Sequence, residues 1–171
     1  GSVIWNGSAS GVNLNKFDNS QKPVWRAEIR EKYAIPDNAV VFGFVGRITR
    51  DKGINELLAA FKAFLQKNSG AYLLIVGNPE LSAAVDMSLY QWAQEQAHTI
   101  FCGRTSTVEK YLAAMDAYIL PSYREGFGMV VVEAEAMGVP VIVTDIPGPT
   151  DAMIPDETGL VVKKADVDSL V

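Results

Sequence analysis

One stretch holds most of the chemistry this chain can offer. It is Pro121-Ser122-Tyr123-Arg124-Glu125-Gly126-Phe127-Gly128, followed by an apolar run from Met129 to Met137 that carries Glu133 and Glu135. It reads as a strand end, a Gly-rich turn and an apolar helix with two carboxylates. A buried carboxylate costs several kcal/mol unless donors satisfy it, so these acids call for partners. The helix start offers unpaired N–H groups and a positive dipole end, a natural seat for an anion such as phosphate. Gly126 and Gly128 around Phe127 allow a tight turn with amides facing a ligand. The plainer alternative is a packing turn with Phe127 plugging the core. Glu133 and Glu135 lie about 200° apart around a helix and cannot share a ligand. One of them should face a crevice; periodicity does not choose which.

A second group lies upstream, in Phe42-Gly43-Phe44-Val45-Gly46-Arg47-Ile48-Thr49-Arg50-Asp51-Lys52-Gly53. Here Arg47 and Lys52 sit between a strand end and a helix start, and Gly46 lets the backbone approach closely. Arg can grip phosphate through two parallel hydrogen bonds, and Lys acts as a point charge. Taken alone the pair reads more simply as two solvated surface cations; beside the Gly126–Gly128 turn it reads as a phosphate site. Neither loop matches G-x-x-x-x-G-K-[ST] or the dinucleotide fingerprint G-x-G-x-x-G. The single histidine, His98, ends an apolar helix without any nucleophile motif beside it and reads as structural. The single cysteine, Cys102, reads as a small buried hydrophobe in a reducing compartment. No His/Cys/Asp/Glu cluster has metal-ligand spacing. Glu109, Asp116, Asp145, Asp151 and Asp156 read as caps, turns and surface.

The elements that must position these groups follow from patterning. With 171 residues, 49% of them hydrophobic, the chain can bury a sizeable core as one domain. A net charge of −5 argues against a nucleic-acid partner. No apolar run suffices to span a bilayer, and the start lacks a signal-peptide pattern. Residues 1–20 are rich in Asn, Ser and Gly and read as a linker, with a short strand at Val3–Trp5. A helix then runs from Pro23 to about Tyr33. Strands are expected at Ala39–Val45, Ala71–Val76, Thr99–Cys102, Ala117–Leu120, Pro140–Thr144 and Gly159–Val162. Helices are expected at 52–66, within Leu81–Ala97 (strongest from Asp86), Thr107–Ala114 and Gly128–Met137, the last closed by Gly138. Asp151–Ile154 reads as a helical turn, and Asp166–Val171 as a helix cut off by the chain end.

Apolar strands alternating with helices imply an α/β fold: a Rossmann-like, doubly wound, six-stranded parallel sheet with helices on both faces. In the common order 3-2-1-4-5-6, the crevice at the carboxyl edge opens between the first and fourth strands. Those strands end at Gly46-Arg47 and Pro121-Ser122, so the two chemical loops would flank one crevice.

These residues resemble a known family. Glu125 and Glu133 in Glu125-Gly126-Phe127-Gly128-Met129-Val130-Val131-Val132-Glu133 meet the E-x7-E spacing of retaining family-4 (group 1) glycosyltransferases. The Gly46-Arg47 to Lys52-Gly53 loop resembles the family's donor-phosphate loop. Gly11-Val12-Asn13 through Phe17 resembles the linker that opens its C-terminal domain, with Asn13 where Asp is more usual. Met115 to Ser122 and Asp156 to Val162 resemble further strands of that domain. The resemblance implies one half of a GT-B fold: a linker over residues 1–20 and a donor-binding domain over 21–171, truncated at its C-terminus. It implies transfer of a sugar from a UDP- or GDP-linked donor, with retention and without a metal or other cofactor. A carbohydrate or lipid-linked acceptor would be held by an N-terminal domain, in surface polysaccharide or glycoconjugate synthesis. The enzyme would be cytoplasmic, peripheral at the inner membrane face, and the domain alone inactive. Arg47 and Lys52 would take the diphosphate, and Glu125 the sugar hydroxyls. Gly46 and Gly126, Phe127, Gly128, Met129 and Val130 would line phosphate and sugar, and Glu133 would hold the ribose. Gly103, Arg104, Gly77 and Asn78 would lie near the base. The alternatives are a non-catalytic nucleotide-sugar module, or a sugar phosphorylase or epimerase on the same fold.

Overall fold

The computed structural model describes residues 11–171, so the strand expected at Val3–Trp5 lies outside the described residues. The chain runs α1 (Lys22–Lys32), β1 (Val41–Val45), α2 (Ile54–Leu65), β2 (Tyr72–Val76), α3 (Met87–Glu95) and β3 (Thr99–Gly103). It continues with α4 (Val108–Ala114), β4 (Ala117–Leu120), α5 (Met129–Ala136), β5 (Val141–Thr144) and β6 (Gly159–Val162). The six strands form one sheet in the order β3-β2-β1-β4-β5-β6, and every neighbouring pair is parallel. The expected order and direction both hold.

The strands are apolar on both sides because the sheet is covered on both faces. Val41, Leu74, Val76, Tyr118, Leu120, Val141 and Val143 pack in one core with Ile29 of α1, Leu112 of α4, and Val131 and Ala134 of α5. Phe44, Leu73, Ile75 and Ile119 pack in a second core with Leu57, Leu58 and Phe61 of α2 and Tyr90 and Ala93 of α3. Removing such side chains from water, at about 25 cal/mol per Å², is what drives these helices onto the sheet.

Helix boundaries follow local chemistry. Pro23 occupies the first turn of α1, where its missing N–H costs nothing. Asp86 caps α3, its carboxylate accepting from the Ser88 and Leu89 amides. Gly138 ends α5 with φ 60°, as its C′ position requires. Two expectations fail near the C-terminus. The helical turn expected at Asp151–Ile154 lies earlier in the chain: residues 147–151 form consecutive turns, with Asp151 N–H donating to the Gly148 carbonyl, and 152–153 are a bend. Asp166–Val171 contains a 3-10 turn at Asp168–Leu170 in place of the expected helix.

Asp116 stands at a bend and is partly exposed, yet it is more than a surface or turn residue. Its carboxylate accepts from Arg26 at 2.7 Å, from Arg30 at 2.8 Å and from the Val41 amide at 2.8 Å. Arg30 is buried and also donates to the carbonyls of Pro36, Asp37, Ala39 and Ala114. This cluster clamps α1 to the starts of β1 and β4. Glu109 likewise is buried rather than exposed, with Lys16 Nζ 3.6 Å from its Oε2.

Candidate functional site

Because β1 and β4 are neighbours, the loops that follow them meet at the carboxyl edge of the sheet. They are bound to each other by specific contacts. Gly53 has φ 72°, and a Cβ there would lie 1.9 Å from the Pro121 carbonyl oxygen, so only glycine fits the approach. The Tyr123 amide donates to the Asp51 carbonyl at 2.8 Å. The Tyr123 hydroxyl donates to Glu56 Oε1 at 2.8 Å, and Arg50 donates to Glu56 Oε2 at 2.7 Å. The Arg50 guanidinium stands 4.5 Å over the Tyr123 ring. From the far side, Gly148 presses on the Gly-rich turn: its φ is 96°, and a Cβ would fall 1.7 Å from the Gly126 carbonyl oxygen.

The expected pairing of loops places Lys52 against Glu125. Lys52 Nζ donates to Glu125 Oε1 at 2.7 Å, and the Ser122 hydroxyl donates to the same oxygen at 2.7 Å. Both charged side chains are largely buried. Arg47 is paired differently, with Glu80 Oε2 at 2.9 Å, and both partners are more than half exposed. A surface pair of this kind contributes about 0–1 kcal/mol, so Arg47 can turn to an incoming anion at small cost.

Two helix starts open on this edge without side-chain caps. Both α2 and α5 begin after a left-handed glycine, Gly53 and Gly128, and neither receives a capping hydrogen bond. Their first-turn amides, Met129 and Val130 among them, are therefore available to an anion. Phe127 is half-buried and packs against the core, so the turn and plug readings both hold for it.

Arg47 stands between two concavities. A cleft of about 390 Å³ is lined by Gly46, Arg47, Gly77, Asn78, Glu80 and Arg104 among others. A more open one of about 620 Å³ includes Arg47, Arg50, Asp51, Glu80, Tyr123 and Arg124. The first gathers Gly77, Asn78 and Arg104 of the residues expected near a base; Gly103, with φ 70°, ends β3 just before Arg104 and does not line it. A third, apolar cavity of about 240 Å³, lined by Phe42, Phe61, Ile119 and Leu170 among others, contains none of these residues.

The two carboxylates of α5 diverge as their spacing requires. Glu133 is half-buried, and burial raises its pKa; Lys16 pulls the other way, and Glu109 adds to the rise. Beneath it lies Tyr118, fully buried, whose phenol is pushed well up by burial and by the charges of Glu125 and Glu133. Glu135 turns toward Thr158; burial raises its pKa, and its Oε1 is buried without a hydrogen-bond partner among the described residues. Glu133 and Glu125 thus both act on the Tyr118 phenol, whereas Glu135 turns toward Thr158.

His98 and Cys102 take structural places. His98 Nδ1 meets the Ala71 carbonyl at 3.0 Å and its ring packs on Tyr72. Burial pushes the Cys102 thiol up to about 11, far from a reactive thiolate. Among the described residues, no three His, Cys, Asp or Glu side chains are gathered to hold a metal ion. Ser122, Glu56, Tyr123 and Glu80 were not singled out in the sequence. For Ser122 a signal existed: Ser-x-x-Glu is the spacing at which the two side chains can meet across one turn, although no helix begins there.

Comparison with known proteins places the chain in context. The family model for glycosyl transferases group 1 matches residues 26–171. The capsular polysaccharide biosynthesis glycosyltransferase CapM of Staphylococcus aureus is 36% identical over 168 residues, 96% of this chain and 42% of that protein. A GDP-mannose-dependent alpha-mannosyltransferase of Mycobacterium tuberculosis is 33% identical over 155 residues, 89% of this chain and 36% of that protein. Among solved structures, Anabaena HepE in complex with UDP superposes with a TM-score of 0.80 at 23% identity, over 94% of this chain and 44% of that one. The chain thus spans less than half the length of these curated relatives.

Proposed function

The chain belongs to the group 1 glycosyl transferases, and from that premise we propose that it is the donor-binding half of a retaining glycosyltransferase. One observation carries the reading. At the carboxyl edge between β1 and β4, the loop that carries Arg47 and Lys52 is joined to the Glu125 loop by the Lys52–Glu125 pair, beside two uncapped helix starts. Cations and free amides suit a diphosphate, and carboxylates suit hydroxyl groups. The HepE structures hold UDP and UDP-glucose, and that fold-level likeness supports a nucleotide-sugar donor for this crevice.

Lys52, Arg47 and the start of α5 bind the diphosphate. As the sugar–phosphate bond breaks, negative charge gathers on the leaving diphosphate, and these donors stabilise it where it forms. Positive side chains and amides supply this role without a bound metal or other cofactor. Glu125 accepts from hydroxyls of the donor sugar. Glu133 accepts from the ribose diol, which answers its otherwise costly half-burial. Arg104, Gly77 and Asn78 border the base. The acceptor, a carbohydrate or lipid-linked carbohydrate of a surface polysaccharide, is bound by a preceding domain at the cytoplasmic membrane face.

Titration of UDP, GDP and ADP into the chain tests the assignment, with Arg47→Ala and Glu133→Ala as controls. One nucleotide should bind best, and both variants should weaken it. Equal binding by all three proteins would sink the site. In the full-length enzyme, Glu125→Ala should keep nucleotide binding and lose transfer.

A further inference from the structure

Glu125 is held unevenly. Its Oε1 accepts from Lys52 Nζ and from the Ser122 hydroxyl, both at 2.7 Å, whereas Oε2 accepts no hydrogen bond among the described residues. The carboxylate therefore offers one oxygen outward and keeps the other for the protein. The two donors to Oε1 differ in kind. Lys52 carries a mobile charge on a long flexible stem, and a diphosphate in the crevice competes with Glu125 for it. Ser122 has no solvent exposure and one hydroxyl proton, which it gives to Glu125. Its carbonyl is fixed in turn by the Thr144 hydroxyl at 2.6 Å, and Thr144 is itself buried at the end of β5. Ser122 thus sits on the rigid ends of two adjacent strands, out of reach of any ligand.

We propose that Ser122 is a positioning residue for Glu125: it holds Oε1 when the donor diphosphate draws Lys52 away, so that Oε2 alone is presented to the donor sugar. The inference rests on the donor-site reading above. Without Ser122, the carboxylate loses its fixed rotamer when Lys52 is engaged, and recognition of the sugar weakens while that of the nucleoside diphosphate does not.

The test uses the chain as it is and two probe pairs, UDP with UDP-glucose and GDP with GDP-mannose, by calorimetric titration. For whichever pair binds, Ser122→Ala should weaken the nucleotide sugar about tenfold, the usual worth of a hydrogen bond to a charged group. The matching nucleoside diphosphate should stay within about twofold. Ser122→Cys, with a weaker donor of similar size, should fall between. In a Glu125→Ala background the Ser122→Ala change should have no further effect on the nucleotide sugar. Loss of both ligands in parallel in Ser122→Ala and Ser122→Cys would make the role purely structural and overturn the proposal, as would no loss of either. If the unsubstituted chain binds none of UDP, GDP and ADP, it is the donor-site reading that fails.

Discussion

Strand β4 carries a carboxylate–cation cluster at each end, and the two are built differently. At its start Asp116 is satisfied by two guanidiniums and a backbone amide, and Arg30 is buried and spread over four carbonyl groups. Just beyond its other end Glu125 has two donors on one oxygen and none on the other among the described residues. Nearby amides of α5 are uncapped, whereas those of α3 are closed by Asp86. The first cluster has nothing left to offer a ligand and serves the fold. The second retains free acceptors, free donors and exchangeable partners, which a binding site needs. Unspent hydrogen-bonding capacity, rather than charge itself, distinguishes the two ends.

The sharpest way to break this contrast is to remove one member from each. Arg30→Ala should cost about 3–5 kcal/mol of unfolding free energy, because it strips a buried charge from its partner and orphans several carbonyls. Urea unfolding of the chain measures this. Lys52→Ala should cost less, about 1–3 kcal/mol, since Glu125 keeps Ser122 and has one oxygen free of protein donors among the described residues, but it should weaken nucleoside diphosphate binding tenfold or more. Equal losses of stability would erase the distinction.

Acid separates the clusters next. Burial alone would raise the Asp116 carboxyl, but the Val41 amide and the Arg26 and Arg30 guanidiniums outweigh it and hold the carboxyl below its ordinary range. A group depressed on folding contributes stability above its unfolded value of about 3.9 and loses it as pH falls through the lower folded value. In that window the wild-type stability should fall more steeply than that of Asp116→Asn. Glu133 shifts the opposite way, raised first by burial. Nucleoside diphosphate affinity should therefore begin to fall with acid above the ordinary glutamate value of about 4.3. Glu133→Gln should remove this part of the pH profile; an unchanged profile would detach Glu133 from the ribose.

The smallest effect concerns Arg47. Glu80 holds it in an exposed pair, so Glu80→Gln should release Arg47 and strengthen nucleoside diphosphate binding by about threefold or less. A calorimetric comparison at low salt resolves this, and weaker binding would show that Glu80 positions Arg47 rather than competing for it.

Periodicity and turn chemistry made most of the elements legible. Ala117–Leu120 and Gly159–Val162 have the expected bounds, because the first apolar run is closed by Pro121 and the second is opened by Gly159 and closed by Lys163. Asp166–Val171 departs from its propensity: Asp166 Oδ1 accepts from the Ser169 amide, and the Ser169 hydroxyl oxygen accepts from the Lys163 amide, contacts that a propensity pattern does not show. Within the site, the glycines, Arg47, Lys52 and the E-x7-E pair were visible as residue types at loop ends. Ser122 was visible only as a strand terminator.

By itself the sequence determined the parallel sheet, the carboxyl edge at which such a sheet takes ligands, and the candidate charges, since these depend on local pattern and on rules of strand order. Tertiary structure alone decided which charges are committed. Asp116 and Glu125 are both single acids beside a strand in the sequence. Only folding brings Arg26 and Arg30 from α1 to the first, and Lys52 from the β1–α2 loop to the second. Hydrogen-bond saturation depends on partners distant in the chain, and no local pattern encodes it.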